Sequence, residues 1–280
     1  MANTENNPEY TMKIHKAKVG YVAELFIKDD KKENSKSSNN IELILIVDRS
    51  GSMSGSYEKI FNKIIPLLLE KLHYPENKEV HFITFESRTE YRKIKKETFI
   101  NSQEYATGGT NMKDVFKELE KILTKENLSY RILTLSDGDL FDSHETSNAA
   151  SEFYNKIKGK FRINSQAIRF FSSDWANPDT LGLASVIQLN SVNQATLLDI
   201  NSEDDESLIA NQLSKLFIND GLDTKISLLS DKKNMQSAPW EAKSDEMGLI
   251  PGKNIFWIDD ISQFSVKINE ENPVKVNKTF

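Results

Sequence analysis

The sequence predicts an α/β chain: a doubly wound, mostly parallel sheet flanked by helices over residues 41–222, and a small all-β, sandwich-like part made from both chain ends. Three observations predict it. From Ile41 to Val47 every residue but Glu42 is aliphatic, the pattern of a strand buried on both faces of a parallel sheet. From there to about residue 219, strand-like runs alternate with helical periodicities, as in a wound parallel sheet. From Thr224 to Phe280 only strand-like runs remain, separated by polar turns.

Taken in order, residues 1–10 are polar and read as disordered. Residues 11–40 are assigned to the β part. Thr11–Lys28 alternates loosely at Ile14, Val19, Tyr21, Val22, Leu25 and Ile27, giving one or two strands, and Asp29–Asn40 is a polar linker. Tyr57–Tyr74 carries Ile60, Phe61, Ile64, Leu68 and Leu72 at helical spacing, with Pro66 expected to kink or break the helix. Val80–Phe85 is a strand, with Glu90–Ile94 as its antiparallel neighbour. Met112–Leu123 reads as a helix burying Val115, Phe116, Leu119 and Ile122 or Leu123, and Tyr130–Ser136 as its partner strand. Then come a helix at Asn148–Lys158, a strand within Phe161–Phe171, a short helix and irregular chain at Thr180–Ser191, and a strand at Leu197–Ile200. Glu206–Phe217 is helical, with Leu208, Ile209, Leu213, Leu216 and Phe217 on one face. The acids from Glu203 to Glu206 suit that helix's N-terminal dipole, so they read as a cap and not a metal site. The tail from residue 223 is too thin to stand alone, so the strands before residue 40 are expected to complete it, with residues 41–222 inserted between.

A net charge of −6 argues against a generic nucleic-acid binder. No stretch approaches the roughly 18 apolar residues of a membrane span. The opening MANTENNPEY has no apolar core for a secretory signal, and there is no cysteine for disulfide, thiolate-metal or redox chemistry. These features lead to the expectation of a cytoplasmic protein, with export by a signal-independent route left open. The sequons at Asn127 and Asn277 are then chance matches.

The buried run stops at an acid. Asp48 is followed by Arg49, Ser50, Gly51 and Ser52, so one carboxylate and two hydroxyls leave the carboxyl end of a strand together, where open α/β sheets bind ligands. These are hard oxygen donors of the kind Mg²⁺ prefers, and too few by themselves. Two more stretches would add oxygens: Thr110 in ATGGTNM, and Asp137 at the end of the strand-like RILTLSDGD. In this order the three loops resemble the von Willebrand factor A (vWA) family with its metal-ion-dependent adhesion site. The resemblance covers residues 41–222. It implies a Rossmann-like fold in which Asp48, Ser50, Ser52, Thr110 and Asp137 surround one Mg²⁺ or Mn²⁺. Neutral hydroxyls leave the ion surplus positive charge, so an Asp or Glu of a protein partner completes its coordination. The helix at 206–217 occupies the place where integrin-type relatives couple affinity to a helix shift, and integrin β chains also insert such a domain in a β-sandwich.

Blander readings stand beside these. An Asp and Ser cap explains one loop, though not three. Arg49 would contact the partner's acid or be solvated, and Met53 fills a variable position. A second cation is not expected, because the next acid is Glu58. Asp139 and Asp142 would extend the site or cap a helix. The basic run Arg88, Arg92, Lys93, Lys95 and Lys96 reads as a solvated edge strand, with a patch for phosphate or an acidic partner as the alternative. His15, His73, His81 and His144 lack zinc spacing. Trp240 and Trp257 read as packing residues, and Trp175 as packing or a binding rim.

Enzyme readings fare worse. A dehalogenase-like phosphatase needs a second Asp where Ser50 stands, Gly108-Gly109-Thr110 lacks the P-loop lysine, and there is no Gly-x-Ser-x-Gly elbow. The expectation is a non-catalytic module that binds a partner carboxylate through its metal. The alternatives are a scaffold or regulatory subunit of a cytosolic complex, related to AAA+ ATPases or the ubiquitin pathway, and a metal-dependent hydrolase.

Overall fold

The aliphatic run Ile41–Asp48 forms a strand that is buried on both faces and occupies the middle of a six-stranded sheet. In the computed structural model of the 280-residue chain, the described residues are 10–27, 41–125, 128–171, 180–191, 197–217, 222, 226–236, 243–249, 252–268 and 273–279. The chain divides into two compact units, residues 39–218 and residues 1–38 with 219–280. The expected disordered residues before Tyr10, the linker, Asn127, Trp175 and Trp240 lie outside the described residues.

In chain order the strands are β1 (Tyr10–Lys16), β2 (Tyr21–Ile27), β3 (Ile41–Asp48), β4 (Val80–Phe85), β5 (Thr89–Ile94), β6 (Ser129–Ser136), β7 (Arg162–Phe171) and β8 (Leu197–Asn201). The helices are α1 (Ser56–Lys59), α2 (Ile65–Lys71), α3 (Lys96–Asn101), α4 (Val115–Ile122), α5 (Ser143–Ile157), α6 (Leu181–Ser185) and α7 (Glu206–Lys215). The remaining strands are β9 (Ile226–Ser230), β10 (Met235–Gln236), β11 (Glu246–Leu249), β12 (Gly252–Ile258), β13 (Phe264–Ile268) and β14 (Val274–Thr279).

In the 39–218 unit the strand order is β5-β4-β3-β6-β7-β8, parallel throughout except for the edge strand β5. Successive residues of β3 feed opposite faces. Leu43, Leu45 and Val47 pack with α1, α2 and α7, while Ile44 and Ile46 pack with α4, α5 and α6. Alternation is invisible in such a strand because both faces are dry. The chain leaves β3 toward β4 on one side and returns at β6 on the other, so the reversal of strand order falls between β3 and β6. Their carboxyl ends flank the crevice where such sheets take ligands.

Several expectations needed correction. The helix runs through Pro66 without a break, α1 and α2 being joined by a π-helical segment, Ile60–Ile64, with Ile65 N–H bonding Ile60 O. The wider turn suits a proline that lacks an N–H and would crowd the preceding carbonyls. α5 begins five residues before the expected Asn148, and α3, β10 and β11 were not anticipated. Leu208 is exposed, and Ala210 takes its place on the buried face of α7.

In the other unit eight strands pair in the series β10-β12-β2-β1-β14-β13-β9-β11, and the two ends of the chain meet in the parallel pair β1–β14. Alternate residues such as Met12, Ile14, Leu25, Phe256 and Val266 enter one apolar cluster. Among the described residues no helix is long and apolar enough to cross a membrane.

Phe61 is the hub of an aromatic cluster, with ring centroids 5.6 Å from Phe82 and 5.0 Å from Phe99. Phe61→Ala is expected to remove about 3–5 kcal/mol from the unfolding free energy of this unit. Urea denaturation checks it, and a loss under about 1 kcal/mol would mean the cavity collapses without cost.

Candidate metal centre

Asp48 is the last residue of β3 and lies one step beyond the Val47–Leu135 pair, level with Ser136 at the end of β6. Its side chain is entirely buried. Oδ2 accepts from Ser136 Oγ at 2.6 Å, and Oδ1 accepts from the Ser50 backbone N–H at 2.8 Å. A 3-10 turn, Gly51–Met53, brings Ser52 back so that its hydroxyl lies 3.0 Å from that of Ser50. Ser136 also accepts from Gly138 N–H, which turns the chain at Asp137. Asp137 reaches toward Ser52, and its Oδ1 accepts Asp139 N–H at 3.1 Å.

Main-chain bonds knit the loops. Arg49 O accepts Thr107 N–H at 2.7 Å, and Gly108 O accepts Gly51 N–H at 3.2 Å. Gly108 has φ +77°, where a side chain is strained, and a Cβ there would also have to displace the Glu86 carboxylate. Thr110 is buried in this adjoining loop, and its carbonyl accepts Phe141 N–H at 3.0 Å. Side-chain contacts thus bring Asp48, Ser50, Ser52 and Asp137 together, while Thr110 arrives at the same edge through main-chain bonds.

Two residues outside the expected set hold it in place. Ser136 supports Asp48 as described. Asp142 stands at the N-cap position of α5, but its carboxylate bonds no backbone N–H of that helix: it accepts Met112 N–H and Lys113 N–H, both at 2.9 Å, and Thr146 Oγ–H at 3.0 Å. It therefore latches the chain after Asp137 onto the chain after Thr110. An acid five residues past Asp137 was visible in sequence, but its partners were not.

The electrostatics are those of two acids lacking a counter-charge. Burial, with the neighbouring Asp137 charge, pushes the Asp48 carboxyl up to about 7 against its serine hydrogen bonds. Burial also raises Asp137, opposed by the Ser52 hydroxyl. Asp137 Oδ2 is buried without a hydrogen-bond partner. Among the described residues no Lys or Arg pairs with either acid. Two carboxylates and neighbouring hydroxyls make a hard-oxygen set that fits a Mg²⁺-type ion. No group of three or more His, Cys, Asp or Glu side chains among the described residues could hold a metal, so the hydroxyls would be essential to coordination here.

Other candidates separate cleanly. Arg49 is engaged by acids, its guanidinium 3.7 Å from Glu86 and 3.5 Å from Glu90, and Met53 is core. Both Glu58 oxygens are taken by the N–H groups of Gly55 and Ala106. Asp139 is exposed. Arg92 on β5 pairs with Glu104 and Lys96 at the start of α3 with Glu76, so the basic run is partly neutralised. His81 is buried against Tyr91 and Glu42, and Asp205 caps α7 through Ser207 and Leu208 N–H.

No protein-family model matches the sequence, and no curated protein matches it significantly. Among solved structures, the pilus adhesin SpaC from Lactobacillus rhamnosus GG, in its open conformation, is 13% identical with TM-score 0.48, over 98% of this chain and 48% of that one. The ArnB paralog VWA2 from Sulfolobus acidocaldarius is 12% identical with TM-score 0.45, over 97% and 75% of the two chains. The PilB minor pilin from Streptococcus sanguinis is 11% identical with TM-score 0.49, over 76% and 78%. The chain spans about half the length of SpaC, and at these values each likeness is one of outline.

Two outcomes are expected. Asp142→Asn puts an amide donor against N–H donors, so the Met112 and Lys113 amides should exchange with solvent about 10–100-fold faster by NMR. Unchanged protection would show that the latch does not hold the loop. The raised Asp48 pKa means that the cation-free folded form keeps a proton the unfolded chain has released, so stability falls as pH rises from about 4 to about 7. In chelator, Asp48→Asn should therefore melt above wild type at pH 8, by the equivalent of roughly 2–4 kcal/mol. The two should converge near pH 4, and equal melts at pH 8 would show that the carboxylate is not penalised by burial.

Proposed function

We propose that residues 39–218 form a non-catalytic recognition module that holds Mg²⁺ or Mn²⁺ on Asp48, Ser50, Ser52, Thr110 and Asp137 and takes an acidic residue of a protein partner. The observation that supports it most is the fully buried Asp48 next to the half-buried Asp137, whose Oδ2 is buried without a partner, beside two serine hydroxyls and with no Lys or Arg pairing with either acid among the described residues. When bound, the ion supplies an electrophilic position that a carboxylate can fill. The chain's own part is to keep the oxygens in place. Ser136 and the Ser50 N–H orient Asp48, the 3-10 turn sets Ser50 against Ser52, and Asp142 fixes the loop after Thr110. This reading agrees with the resemblance to vWA domains carried by the three loops.

Binding without turnover fits the position two residues after Asp48, where a hydroxyl stands in place of the second acid a phosphatase needs. The lack of cysteine fits a reducing, cytoplasmic setting. The eight-stranded series, with alternate residues entering a single core, fits a sheet folded over on itself in sandwich fashion.

Calorimetric titration of Mg²⁺ and Mn²⁺ into wild type and Asp48→Ala, with thermal melts of both, tests the module. Saturable binding that the substitution abolishes is expected, with a several-degree rise in the wild-type melting temperature on adding metal. Absence of binding to the wild type would sink the proposal.

A further inference from the structure

We propose that Phe141 determines the specificity of this edge, and that the partner segment carries an apolar or aromatic side chain within two positions of its acidic residue. The inference rests on the metal-dependent reading above. Phe141 is 75% exposed, between Leu140 at 8% and Asp142 at 6%. Both neighbours are anchored: Leu140 in the core between the sheet and α4–α6, Asp142 by its three hydrogen bonds. The Phe141 N–H is tied to Thr110 O. The ring is thus projected into solvent by a loop fixed on each side, so little ordering remains to be paid for on binding.

Its position is specific. The ring edge lies 3.3 Å from where a Cβ of Gly109 would stand, so it rests over the glycine pair that precedes Thr110. A bulkier residue at 109 would displace it. Among the described residues Phe141 belongs to none of the three apolar clusters, so packing does not account for it. The loop around it is polar, with Ser87 Oγ accepting Gly109 N–H and Glu86 paired to Arg49. A rigid aromatic beside a charged acceptor site provides an apolar anchor next to the carboxylate position.

The test is panning of a phage-displayed random heptapeptide library on the immobilised full chain in Mg²⁺, with elution by EDTA. Eluted peptides should carry Asp or Glu with Phe, Tyr, Trp, Leu, Ile or Met within two positions, enriched roughly fivefold or more over the input library. On Phe141→Ser the acid enrichment should persist and the apolar enrichment should fall to the input level. Phe141 supplies no metal ligand, so calorimetric Mg²⁺ affinity of this variant should stay within about twofold of wild type. Acidic peptides with no apolar preference, or a preference that Phe141→Ser leaves intact, would overturn the inference while sparing the metal site. An EDTA eluate with no acidic enrichment would overturn the metal-dependent reading, and this inference with it.

Discussion

Asp48 holds a carboxylate with no accessible surface at the end of the central strand, and the rest of this edge is arranged around making that tolerable. Burying an acid is costly unless its oxygens are hydrogen-bonded or neutralised. Ser136 Oγ and the Ser50 N–H satisfy part of the demand. What they leave, together with the partnerless oxygen of Asp137, is a deficit of positive charge at one point of the surface. The parallel pairing of β3 and β6 creates that point, because it brings the ends of two buried strands level across the crevice.

Holding the oxygens still is a separate problem, met mostly by the backbone. The 49–51, 107–111 and 140–142 segments exchange main-chain hydrogen bonds, so the loops behave as one layer over the sheet edge. Gly108 supplies the positive φ that this layer requires, and Asp142 saturates the buried N–H of Met112 and the part-buried N–H of Lys113. Charges that could compete for the centre are drawn off. Arg49 is held by Glu86 and Glu90, and Glu58 is consumed by backbone donors.

The helix that follows the Asp48 loop links this edge to α7. Lys59 donates to the carbonyls of Ser202 and Asp204, and Lys63 pairs with Glu206, so the chain entering α7 is tethered to the helix leaving the centre. The π segment carries that helix past Pro66 without loss of its buried face, since Ile60, Phe61, Ile64 and Leu68 all stay in the core.

The sequence by itself determined the central strand, the order of strands and helices from 41 to 217 apart from α3, and the acid and hydroxyls at and just after the end of β3. These are local patterns: a fully aliphatic run, a 3.6-residue period, a carboxylate where the run stops. Tertiary structure alone decided that Arg49 faces Glu86, that Asp142 is a latch, that Phe141 is thrust into solvent and that α5 starts at Ser143. It also decided the pairing of β1 with β14 and the short strands β10 and β11. Such features depend on groups far apart in the chain, and largely on backbone N–H and C=O that every residue but proline carries alike. Nothing in the side-chain pattern distinguishes the amide of Met112 from its neighbours; only its place beside Asp142 does.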